Sequence, residues 1–285
     1  MEQLRGIDHG EDWSYDIAVV PDRLHQEDSS ELVEFDPLGV KVLPMNREFI
    51  RSNRLHYYEE PERTGWACGD YVLYRALSEK WDYAWVIEPD VYFLNGALDL
   101  FARCEGMAHS LIATHLWPAA GNWMWRKQLQ WFFPENQIYA MAFPLLRASR
   151  TVAENGLSLR QSITKEMPND ARIPNDESII SSVAHWAGEG VLDLKSAAPD
   201  VFRYWSTAMR FPVRDIREAN DEPLIVHSGL EPREFLAYLH DLWNGVGEGW
   251  VKGRPKLLEA FRVASPQTKQ TFFEHITMDR LNSAE

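Results

Sequence analysis

The segment that most restricts how this chain can fold is Tyr83-Ala84-Trp85-Val86-Ile87, followed at once by Glu88-Pro89-Asp90. Five consecutive apolar residues lack the alternation of a half-exposed strand. They suit a central parallel strand covered on both faces. The run ends abruptly on two acidic residues flanking a proline.

Around it, apolar runs alternate with stretches of helical period. Tyr15 to Val20 and Val40 to Leu43 are expected strands, as are Ser110 to Thr114, Ile138 to Phe143, Val191 to Leu194 and Leu224 to Val226. A helix is expected over Trp66 to Lys80, where Trp66, Asp70, Leu73 and Leu77 share one face. Further helices are expected over Gly96 to Arg103, Leu145 to Glu154 and Asp176 to Trp186, the last capped by Asn175 or Asp176. Gly156 to Pro174 is polar and is expected to be mobile, and Arg23 to Asp36 is a polar, acidic stretch. After Glu231 the spacing is helical throughout, interrupted by the glycine-rich Gly245 to Gly253. This alternation predicts an α/β architecture with a central, mostly parallel sheet flanked by helices and a helical C-terminal tail. The expected division is 1–230 for the main domain and 231–285 for a helical extension packed on it. A polar lead precedes the first apolar run, so the first strand is expected to be missing or displaced.

Composition closes several routes. With 285 residues and a net charge of −14, the chain has no general attraction for nucleic acid or for anionic membranes, although Arg126-Lys127 or Arg210 to Arg217 offer local basic pockets. The two cysteines, Cys68 and Cys104, stand in no CxxC pattern, which argues against a thiolate zinc site. Met1 to Gly10 carries no apolar signal core, and no run approaches the roughly 18 apolar residues of a membrane span. The resulting expectation is a cytoplasmic protein with reduced cysteines. Twelve tryptophans are the notable excess, four of them at Trp117, Trp123, Trp125 and Trp131. Indole faces stack on sugar rings, and they also fill cores.

The chemistry is expected at the end of the apolar strand. In open α/β sheets, ligands bind at the C-terminal edge. In an extended segment, side chains at i and i+2 point the same way, which brings Glu88 and Asp90 towards one divalent cation. Their hard oxygens suit Mg²⁺ or Mn²⁺, which would neutralise a diphosphate. The alternative for any such pair is a solvated loop charge. The chain has no GxSxG elbow, no GxGxxG and no Walker A sequence, which weighs against serine hydrolases, dehydrogenases and P-loop kinases.

The run from Trp81 to Gly96 (WDYAWVIEPDVYFLNG) resembles the central strand and acidic triplet of GT-A-type glycosyltransferases, with Glu-x-Asp where that family usually has Asp-x-Asp. The order of further segments is also similar: Cys68-Gly69-Asp70-Tyr71, Trp123-x-Trp125, Leu146-Arg147-Ala148-Ser149, Asp176-Glu177 and a late His227, together covering about residues 13 to 230. The resemblance implies a GT-A-like nucleotide-diphospho-sugar transferase fold. It further implies a nucleotide-sugar donor and a carbohydrate or glycoconjugate acceptor. Asp90 and Glu88 would hold the metal with His227 as third ligand, and Asp70 would contact the donor. Glu177 or Asp176 would be the catalytic base of an inverting reaction, and Trp123 and Trp125 would line the sugar site. Each has a plainer alternative: helix capping for Asp176 and Glu177, a structural role for His227, an exposed helical carboxylate for Asp70. As whole-protein alternatives stand a nucleotidyltransferase, disfavoured because an acidic rather than basic stretch follows Val19-Val20-Pro21-Asp22, and a non-catalytic sugar-binding or scaffold protein.

Overall fold

The computed structural model describes residues 14–24, 40–60, 63–119, 123–167, 172–188, 190–245 and 254–282. The expectations for Met1 to Gly10, for most of Arg23 to Asp36 and for nearly all of Gly245 to Gly253 lie outside them. The strands are β1 (Ala18–Val19), β2 (Lys41–Val42), β3 (Tyr83–Ile87), β4 (Val91–Leu94), β5 (Leu111–Pro118), β6 (Tyr139–Ser149), β7 (Val191–Asp193), β8 (Phe211–Pro212), β9 (Leu224–His227) and β10 (Gly229–Leu230). The helices are α1 (Arg47–Ser52), α2 (Arg63–Ala67), α3 (Tyr71–Ala76), α4 (Asp99–Cys104), α5 (Arg126–Leu129), α6 (Arg150–Glu166), α7 (Asp176–Ala187), α8 (Leu194–Ala197), α9 (Val213–Ala219), α10 (Pro232–Trp243), α11 (Arg254–Val263) and α12 (Pro266–Asn282). The chain is therefore mixed α/β. Its described residues group into two compact units, one within 9–87 and 106–197, the other within 88–105 and 198–285. The helices after residue 230 thus belong to the same unit as 88–105.

The first unit is built on a four-stranded sheet in the order β3-β6-β5-β7. The expected mostly parallel pairing and the expected central, fully covered place of β3 are both corrected here: β3 is an edge strand whose five residues are all half-buried. β6 runs antiparallel to both β3 and β5, and only β5 and β7 pair in parallel. A reversed central strand leaves β3, β5 and β7 pointing the same way, so their C-terminal ends share one edge. The short β1 and β2 form a separate parallel pair. β6 is also longer than its apolar run predicted. Leu145 to Ser149, expected to open a helix, pairs with β3 from Ile87↔Leu145 to Tyr83↔Ser149. An apolar stretch of that length fits strand or helix equally, and pairing to a buried neighbour decides it. Ser149 then caps α6, its Oγ accepting from Val152 N at 3.2 Å. The segment expected to be mobile is largely the helix α6. Gly156 lies within it because a Cβ there would press on the Tyr74 hydroxyl.

The predicted single helix over Trp66 to Lys80 is two, α2 and α3, broken at Cys68-Gly69-Asp70. Gly69 N donates to Asp176 Oδ2 at 2.9 Å, and a Cβ on Gly69 would overlap that carboxylate. The apolar core of this unit includes Tyr71, Leu73, Leu111, Leu146, Val152, Ile179 and Ile180.

In the second unit β4 pairs antiparallel with β9, and β8 pairs in parallel with β10. Leu94, Phe211, Val213, Ile216, Leu224 and Val226 form one core there. Phe235, Leu239, Leu257, Ala260 and Phe272 form another between α10, α11 and α12, as the helical spacing after Glu231 predicted. Glu231 and Glu234 close a capping box at the start of α10. No helix among the described residues is long and apolar enough to cross a membrane.

Candidate metal centre

The Glu88-Pro89-Asp90 segment is a turn, not an extended stretch. Val91 N donates to the Glu88 carbonyl at 3.1 Å across four residues, with proline in the second position that its fixed φ favours. The convergence of Glu88 and Asp90 therefore comes from chain reversal, which corrects the i, i+2 argument. β4 begins directly after the turn, and its register places Val91 opposite His227. Ser228 then adopts a left-handed backbone, φ 60°, and Gly229 N donates to the Asp90 carbonyl at 3.2 Å. A Cβ at position 229 would run into Tyr92 and Val213, so only glycine closes the loop this tightly around Asp90.

The result is a three-residue cluster in which Glu88, Asp90 and His227 each offer a ligand atom, all within 4.8 Å of one another. His227 Nε2 lies 3.8 Å from Asp90 Oδ2. Donors on one Mg²⁺ at about 2.1 Å each stand about 3.0 Å apart when adjacent and about 4.2 Å when opposite, so the side chains would close in by about 1–2 Å to share one ion. Two carboxylates and one imidazole are a donor set that could hold a divalent cation. The imidazole is buried and packed against the Trp205 ring, 4.8 Å between centroids, whereas the Asp90 side chain is 34% exposed. This leaves the cluster open on the carboxylate side. Arg210 stands there, with Nη1 3.6 Å from Asp90 Oδ2. Arg210 was visible in sequence only as part of a basic stretch, and Trp205 carried no signal.

The remaining candidates all lie in the first unit. Asp70 is neither exposed nor open to a donor: it is wholly buried, and Arg160 grips both its oxygens at 2.7 and 2.8 Å. The Tyr74 hydroxyl donates to it at 2.5 Å. Arg160, unforeseen because it falls in the stretch read as mobile, also donates to the carbonyls of Ala67 and Pro174. The cap of α7 is Asn175, whose Oδ1 accepts from Ser178 N at 3.1 Å. Asp176 is buried and holds Gly69 N, so its carboxylate is structural. Burial drives the Asp176 pKa well above the ordinary carboxylate range, with the Glu177 charge adding to it. Burial also raises Glu177 to about 7, against the opposing hydrogen bond from Asn175 Nδ2 at 3.0 Å.

Trp125 is buried, with Trp66 at 5.3 Å and the Arg172 guanidinium 4.1 Å from the ring centre, which makes it core and not a stacking platform. Trp123 is half-buried against the same core. Among the described residues the exposed indoles are instead Trp66, Trp117, Trp131, Trp186 and Trp243. Comparison with protein-family models, with curated proteins and with solved structures finds no match to this chain.

Proposed function

We propose that this chain is a metal-dependent glycosyltransferase, moving a sugar from a nucleoside-diphosphate donor to an acceptor hydroxyl. The observation that carries the reading is the convergence of Glu88, Asp90 and His227 directly after a strand of the α/β sheet. A bound Mg²⁺ or Mn²⁺ would supply charge neutralisation and Lewis acidity towards a diphosphate leaving group. The chain's own residues prepare the place. The turn fixes the two carboxylates, the β4–β9 register brings in the imidazole, and Trp205 holds that imidazole dry on one face. Arg210 supplies a permanent cation at the open side, suited to phosphate oxygens. By the resemblance alone, Glu177 would take the acceptor proton of an inverting reaction. A pKa of about 7 suits that role, since a general base works best near the operating pH.

The test is a panel of UDP-, GDP- and CDP-sugars with Mn²⁺, scored for release of nucleoside diphosphate. Metal-dependent release that disappears in Asp90→Ala supports the reading. Pyrophosphate release from a nucleoside triphosphate and a sugar phosphate would replace it with nucleotidyl transfer. Ligand binding without turnover of either kind would replace it with a non-catalytic sugar-nucleotide protein.

A further inference from the structure

Within the first unit, the parallel pair β5 and β7 ends in a constellation that the metal centre does not use. β5 pairs with β7 through Ala113↔Asp193, and its register with β6 then shifts twice between Ala113 and Trp117. His115 sits in this irregular stretch with φ 54°, a left-handed conformation that a non-glycine residue rarely holds without support. The support is Asp193. Its Oδ1 accepts from His115 N at 3.2 Å and from Lys195 N at 3.0 Å, and its Oδ2 accepts from Ser196 Oγ at 2.9 Å. One carboxylate thus fixes the backbones of two residues on different elements, and their side chains meet. The Lys195 ammonium donates to His115 Nε2 at 3.4 Å.

That meeting is electrostatically lopsided. A half-buried ammonium and an imidazole face each other, and among the described residues no carboxylate lies within 4.0 Å of Lys195 Nζ. Burial first and the Lys195 charge second push the His115 pKa down, against the Asp193 carboxylate that raises it, so near neutrality the imidazole accepts. The Lys195 ammonium lies beyond ion-pair distance of the Asp193 carboxylate, which is itself engaged by three donors, so an anion can gain from that ammonium on a chain of net charge −14. Half-burial strengthens that gain. Trp117 stands beside it, its ring edge-on to His115 at 5.9 Å between centroids and partly exposed. The position is the C-terminal edge of parallel strands, where α/β sheets hold ligands. A lysine point charge with three donors suits phosphate oxygens.

We propose that His115 and Lys195, held by Asp193, form a metal-independent binding site for a phosphate group. The site stands apart from Glu88, Asp90 and His227 and does not rest on their reading. The test titrates the full chain with inorganic phosphate in the presence of a chelator, by calorimetry and by NMR of the histidine imidazoles, with His115→Asn identifying the His115 signals. Saturable binding that shifts the His115 signals supports the site. Binding should weaken about tenfold or more in Lys195→Met, the loss of one charge-assisted hydrogen bond, and should survive in Lys195→Arg. No saturable binding, or unaltered affinity in Lys195→Met, overturns the proposal. Should Lys195→Met not fold, His115 signals that stay still while wild-type protein is titrated overturn it equally. With the chelator present, failure here leaves the metal reading standing, and failure of the metal reading leaves this site standing.

Discussion

Asp70→Asn separates a structural carboxylate from a donor-binding one. Both Asp70 oxygens are held by Arg160, and both side chains are essentially sealed from solvent, at 0% and 1% exposure. The substitution removes the charge and leaves a guanidinium buried with only the carbonyls of Ala67 and Pro174 as further partners. Breaking a buried pair on one side typically costs about 3–5 kcal/mol. At about 2–4 °C per kcal/mol for a chain of this size, the melting temperature should fall by about 6–20 °C. Differential scanning calorimetry at neutral pH, with nucleotide affinity measured on the folded protein in parallel, reads both quantities. A melting temperature within 2 °C of wild type, accompanied by lost nucleotide affinity, would refute the structural assignment and restore Asp70 as a ligand residue.

Glu177→Gln should change how stability depends on pH. The folded carboxyl, raised from 4.5 to about 7, prefers its proton, so its contribution is fully present below pH 4.5 and is lost as pH rises through 7. Melting curves should therefore show the variant gaining on wild type between those limits and keeping a constant lead above them; parallel curves would contradict the burial effect. In an acceptor assay the same substitution should lower turnover by about 10² to 10⁴ if Glu177 takes the acceptor proton, and near-normal turnover would remove that role. Trp125→Ala should cost about 3–5 kcal/mol in denaturant titration, whereas the exposed Trp186 should tolerate alanine within about 0.5 kcal/mol. Equal effects at the two positions would contradict the placement of Trp125 in the core.

The sequence made the extent of β3 legible but not its place, since a run of five apolar residues suggested a central, fully covered strand and β3 is a half-buried edge strand paired, among the described residues, only with β6. The mechanism by which Glu88 and Asp90 converge was not legible, because it depends on a turn hydrogen bond and on the β4–β9 register, which joins residues more than 130 positions apart. His227 could be nominated by family likeness, whereas its neighbours Trp205 and Arg210 are brought in by the Tyr204–Val226 bridge and the β8–β10 pairing. Leu145 to Ser149 misled for a local reason, since a short apolar run does not distinguish strand from helix. Asp70 and Asp176 misled for a non-local one. Acidic residues near helix starts usually serve solvent or a cap, and these two are instead buried on Arg160 and on Gly69 N. The start of helix α6, Arg150 to Glu154, was expected to be helical, but its continuation from Gly156 was missed because a polar texture hid the stripe of Val152, Ala153, Gly156 and Ile163.

The central claim is that Glu88, Asp90 and His227 hold one divalent cation. Electron paramagnetic resonance of Mn²⁺, titrated into metal-free protein, counts bound ions directly. Wild type should retain one ion per chain, and Asp90→Ala and His227→Ala should each abolish that binding while leaving the fold intact by circular dichroism. Retention of one ion in both variants, or no bound ion in wild type even with a nucleoside diphosphate present, would contradict the account.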